Sequence, residues 1–236
     1  MDASGRLSAA RNALVQAEAA VGLARQSLPV HEEEFQAGGG RWEIPTCLSG
    51  VFPSGLRYGM TIGIHGSRLA SMLTAGIASD QGAWVACLGM PDMSWGLASI
   101  LGMNLQHTVW VPQCSSSFLP QAISAAIDGF DVVLVGQGLL EQGDRRVLSR
   151  RALSRETLLL GEGWDTRVGT RGTLVDLEGL DQGEGHISSL ALRLAGMSSS
   201  EVSGESALIE ITDTGWKGTK ETVSGKTHRH LEVVSL

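Results

Sequence analysis

From Thr61 to Leu160 the chain alternates short apolar runs with longer segments of helical periodicity, and this alternation limits the fold more than any other feature. Short β-branched runs, each followed by a helix-length segment, are strands joined by crossover helices, which calls for a mostly parallel sheet flanked by helices. The pattern predicts strands at Thr61–Ile64, Ala83–Leu88, Thr108–Val111, Val132–Val135 and Thr157–Leu160. Helices are predicted over Arg68–Ser79, Ser94–Leu101, Phe118–Ile127 and Arg145–Ser154. Beyond Trp164 the texture changes. Leu174–Leu177 and Ile187–Leu194 are apolar stretches separated by the glycine-rich Gly179–Gly185, which predicts an antiparallel C-terminal hairpin. The expected class is α/β.

Ahead of this block, Leu7, Ala10, Leu14, Ala17, Val21, Ala24 and Leu28 recur at steps of three and four, the stripe of one helix face. Pro29 ends it, and glutamates followed by glycines make 31–41 a linker. The expected organisation is an N-terminal docking helix over 1–30, that linker, a core domain over 42–197, and a polar tail over 198–236 rich in Ser, Thr, Gly and charge. The helix is expected to dock on a second protein or on another copy of the chain; folding back on its own core is the other way to bury its stripe. A net charge of −7 argues against a surface that grips nucleic-acid backbones everywhere, so any DNA contact is local, weak or indirect. Three isolated cysteines and the lack of a long apolar run fit a cytoplasmic chain without a membrane span.

Met60–Thr74 has the order of a phosphate-binding loop: a strand, a glycine turn at Gly66, then a helix start through Ser67 and Arg68. Such a loop aims backbone N–H groups at phosphate, while a lysine and a hydroxyl complete the charge and metal balance. Counted from Gly66, the second glycine, the lysine and the hydroxyl fall on Ser71, Met72 and Leu73, and all three are absent. The magnesium-holding acid is expected just past a buried strand. After Asp131–Val135 that position is Gly136. The pattern therefore predicts a degenerate loop, no nucleotide cofactor and no ATP hydrolysis.

Leu48 through the glycine turn, together with Asp131–Val135, resembles the RecA core. Gly82–Pro91, Ala125–Val135 and Leu177–Ile187 are similar to the ImuA group of RecA-like and SulA-like proteins, the likeness running from about Trp42 to Met197 and resting on order and spacing. This resemblance implies a RecA-like fold and a role in the SOS response to DNA damage. The implied partners are an ImuB-like Y-family polymerase relative and, through it, an error-prone C-family DNA polymerase. The chain would then be an adaptor in translesion synthesis. The SulA likeness implies an alternative, an inhibitor of cell division that binds FtsZ.

Arg145, Arg146, Arg150, Arg151 and Arg155 are candidates for contact with a partner or DNA, or for a solvated or internally paired face. His228 and His230 are a possible metal pair without a third ligand, and His65, Ser67 and Ser71 lack an acid to complete a nucleophilic set. No metal is expected. Tryptophans beside strands are expected in the core, and Trp216 is the candidate partner anchor in the tail.

Overall fold

The computed structural model describes residues 40–222 apart from 139, 182, 183, 199 and 200. The N-terminal stripe, Leu7 to Leu28, and most of the linker lie outside the described residues, as do His228 and His230.

A short pair, β1 (Arg41–Trp42) and β2 (Leu56–Arg57), precedes the main sheet. The parallel set then follows in chain order: β3 (Thr61–Gly66), α1 (Arg68–Ser79), β4 (Val85–Leu88), α2 (Trp95–Ile100), β5 (Thr108–Val111), α3 (Leu119–Gly129), β6 (Val132–Val135), α4 (Gln142–Arg155) and β7 (Leu158–Glu162). Each predicted strand and helix of this block is present, with ends within three residues of those expected. Four strands follow without intervening helices: β8 (Val168–Asp181), β9 (Glu184–Ser198), β10 (Glu201–Thr212) and β11 (Gly215–Thr222).

All nine strands from β3 to β11 form one sheet in the order β11-β10-β9-β8-β3-β7-β6-β4-β5. The six from β8 to β5 in that order run parallel to one another, while β8 through β11 form an antiparallel meander. The chain is thus α/β, with a large mostly parallel sheet flanked by helices and an antiparallel C-terminal region.

Strand alternation divides the core in two. Val85, Cys87, Val132, Leu134, Leu158 and Leu160 face α1 and α2, whereas Ala86, Leu88, Val133, Val135 and Leu159 face α3 and α4. Because both faces are covered, these strands read as continuous apolar runs. Fully burying each large apolar side chain of this kind contributes roughly 1.5–3 kcal/mol. Ser67 caps α1 by accepting the Leu69 N–H, and every residue of α1 from Ala70 to Ser79 is buried. Trp164 is buried against the second layer, its ring lying where a side chain on Gly161 would collide with it.

The C-terminal region corrects the domain boundaries. The hairpin strands are far longer than the apolar runs that announced them, and the expected tail from 198 is in part β10 and β11. Ala207, Ile209 and Ile211 alternate inward and are buried beside Leu192 and Leu194. Glu210 is exposed and Leu208 and Thr212 are half-buried, so only every second residue reports the core, and composition alone reads the segment as a tail. Trp216 pairs with Ile211 and packs on the same core, so it is not a free anchor. Trp84 and Trp110 depart from expectation in the other direction: at 47% and 41% exposure they stand on the surface. Among the described residues no helix is long and apolar enough to cross a membrane.

Candidate functional site

In sheets of this kind ligands bind beyond the carboxyl ends of the strands, so the turn after β3 is where a phosphate site would lie. β3 ends at Gly66 and α1 begins at Arg68, leaving Ser67 alone between them. The turn is pressed against β8. The Ser67 N–H donates to the Gly172 carbonyl at 2.8 Å, and a Cβ on Gly66, which has φ +77, would lie 2.2 Å from the same oxygen. The first donors of α1 are used locally: Leu69 N–H donates to Ser67 Oγ and Ala70 N–H to the Ser67 carbonyl. A phosphate cradle needs several backbone N–H groups converging on one point. Here the Ser67, Leu69 and Ala70 N–H groups already have protein acceptors.

The positions counted along the phosphate-loop pattern do not border the turn. Ser71, Met72 and Leu73 lie in α1 and are buried, Met72 and Leu73 within the apolar core. A lysine at 72 would therefore enter the core instead of a ligand. Gly136 also has a reason of its own. Its N–H donates to the Leu88 carbonyl at 3.0 Å, and a Cβ there would sit 2.2 Å from the Gly89 carbonyl oxygen. Close backbone approach requires glycine at this position and leaves no room for an acid.

A buried acid at this end of the sheet is Glu162, at the tip of β7 beside β3. Arg68 Nε and Nη2 donate to its two carboxylate oxygens at 3.2 and 3.3 Å, and Ser71 Oγ donates to Oε1 at 2.9 Å. Arg68 Nη1 also donates to the Asp92 carbonyl at 3.2 Å. One buried carboxylate thus takes a bidentate guanidinium and a hydroxyl, a charge-assisted set that satisfies most of its acceptor capacity. Nearby, burial first and the Glu162 charge second push the Cys87 thiol up to about 12. The thiol there is inert. The phosphate-loop pattern does not single out Glu162, because it places the metal acid after the strand that ends at Gly136; the signal for it is an acid closing the run Leu158-Leu-Leu-Gly-Glu162. His65 Nε2 lies 3.1 Å from the Trp164 carbonyl, and Ser67 is a helix cap, so His65, Ser67 and Ser71 do not converge.

The arginines of α4 separate into two groups. Arg151 donates to both carboxylate oxygens of Asp128 on α3, and Arg155 Nε donates to Oδ1 at 3.0 Å. The Arg151 hydrogen bond, ahead of the charges of both arginines, holds the Asp128 carboxyl below its ordinary range. Arg145 donates to the Leu140 carbonyl at 3.0 Å and lies over the Trp164 ring. These three are bonded within the chain. Arg146 and Arg150, one turn apart, are exposed beside Val147 and Leu153, whose exposures are 63% and 53%. Among the described residues no three His, Cys, Asp or Glu side chains group as a metal site.

Over residues 50–166, just under half of the chain, the sequence is similar to the family described as the MT3502 N-terminal domain. The matched stretch runs from just ahead of β2 to the loop after β7, so it covers the helix-linked strands and stops before β8. No curated protein matches the chain.

Proposed function

We propose that this protein is a non-catalytic, RecA-like adaptor of an error-prone translesion-synthesis complex, with an ImuB-like polymerase relative as its direct partner. One observation carries the non-catalytic part: the strand-to-helix turn is a single residue, with Arg68, Ser71 and Glu162 already satisfying one another beside it. A triphosphate would have to break that set, and neither a loop lysine nor a strand-end acid at 136 would replace its stabilisation. The mostly parallel sheet that begins with a strand and glycine turn, together with its antiparallel close, supports the RecA-like part. The adaptor role and the identity of the partner rest on the sequence resemblance.

Two measurements test this reading. Millimolar ATP with magnesium is expected to leave the melting temperature unchanged, whereas a ligand at a hundredfold excess over Kd would add about 2.7 kcal/mol of stability. A saturable upward shift would overturn the non-catalytic reading. In the second, the full chain is expected to co-purify with an ImuB-like protein; co-sedimentation with FtsZ in its place would overturn the adaptor assignment. Arg146 and Arg150 are the surface candidates for that contact. Changing both to glutamate is expected to weaken the complex at least tenfold and lower its salt dependence, while stability stays within about 0.5 kcal/mol, as for other exposed charges.

A further inference from the structure

We propose that β5 is a self-association edge: two copies of this chain pair their β5 strands antiparallel about a two-fold axis, so that one sheet runs through both. Among the described residues β5 is the last strand of the sheet and pairs only with β4. The Gly89 N–H donates to the Val111 carbonyl at 2.8 Å. Backbone groups alternate along a strand, so Val109 and Val111 turn theirs toward β4 while Thr108 and Trp110 present N–H and C=O outward. That gives two donors and two acceptors per edge for a partner strand.

Exposed edges are normally guarded by charge, and this one is not. Residues 93–127, which include all of α2 and β5 and most of α3, contain no Asp, Glu, Lys or Arg, although such residues are 18% of the chain. Apolar groups gather there instead. Leu105, Val109 and Trp110 are 44%, 42% and 41% exposed, and Trp84 joins them through His107. These rings are held in place before any partner arrives. Trp110 Nε1 donates to the Met90 carbonyl at 2.9 Å and its ring meets Trp95 edge-on with centroids 5.3 Å apart. Trp84 stacks on His107 at 4.7 Å. Aromatic anchors already fixed lose little entropy on burial, which is the condition for a strong contact.

The occupant is a second copy because the edge is complementary to itself, setting donors against acceptors and no charge against a like charge. Two chains of net charge −7 repel over most of their surfaces, and this uncharged edge is where they meet without like charges opposed. Antiparallel pairing about a two-fold axis is self-complementary. Thr108 of one copy bonds Trp110 of the other and the reverse, making four backbone hydrogen bonds, and Val109 falls opposite its own counterpart. At such a non-hydrogen-bonded pair the Cα atoms are about 4.5 Å apart, within disulfide reach.

Sedimentation equilibrium of the full chain is expected to show a concentration-dependent dimer, with Val109→Lys raising the dissociation constant at least tenfold while the circular-dichroism melt is retained. Independently of that variant, Val109→Cys in a Cys114→Ser background is expected to form a disulfide-linked dimer under mild oxidation, whereas Leu105→Cys in the same background is not. A wild-type chain that stays monomeric, a dimer undiminished by Val109→Lys, or failure of the Val109→Cys variant to cross-link would overturn the proposal and assign the edge to residues 1–39 or to a different protein.

Discussion

At one end of the sheet β11 reads Gly-Trp-Lys-Gly-Thr-Lys-Glu-Thr, and at the other β5 reads Thr-Val-Trp-Val. Lys217 and Lys220 are exposed along β11, and Glu221 is tied to Arg193 at 2.7 Å. Strand addition there would have to desolvate charge. β5 presents exposed valine and tryptophan and no charge at all. The same backbone pattern is therefore closed at one edge by side-chain chemistry and left open at the other. What differs is the solvation cost of approaching it.

Substitutions at the β11 end test this contrast, and the most destabilising of them asks whether that end is part of the fold at all. Ile209 on β10 is fully buried, so Ile209→Ala is expected to lower stability by about 2–5 kcal/mol in chemical denaturation. An unchanged midpoint would return 201–222 to the status of a tail and remove the second edge from the comparison.

A smaller effect is expected from acid. The hydrogen bond from Arg193, with its charge and Ser206 adding to it, holds the Glu221 carboxyl below its ordinary range. A lowered folded pKa contributes stability that is present above the unfolded value and lost as the pH falls through the folded one. Glu221→Gln is therefore expected to cost about 0.5 kcal/mol near neutral pH, the scale of a partly exposed pair, and nothing once the wild-type carboxylate is protonated. Equal melting curves at both pH values would show that the pair does not guard the edge by holding it in shape.

The smallest change in stability is expected from removing the guard itself. Lys217→Val with Lys220→Val is expected to shift the melt by less than about 0.5 kcal/mol yet to produce new, concentration-dependent association in light scattering. Continued absence of association through β11 would mean that charge is not what keeps this edge closed, and the case for an open β5 would weaken with it.

Much of the parallel block was legible in the sequence because its central strands are buried on both faces and its first helix carries its own start signal. Val132–Val135 is apolar throughout, and Ser67 ahead of Arg68–Ser79 is a cap that needs no tertiary context. The meander was less legible. In β10 the inward residues Ala207, Ile209 and Ile211 alternate with exposed or half-exposed ones, a period-two signal diluted by the Ser, Gly and Glu around it.

That the phosphate-loop lysine and the acid at 136 are absent is plain from residue identities, since a missing functional group needs no coordinates to be seen. What occupies that region follows from long-range packing. Arg68 and Glu162 are 94 residues apart and meet because β7 lies beside β3 in the sheet. The five arginines likewise looked alike in sequence, and α3 separated them by placing Asp128 against Arg151 and Arg155 while leaving Arg146 and Arg150 to solvent. Which side chains share a site is set by strand order and helix packing, and neither is a local property of the chain.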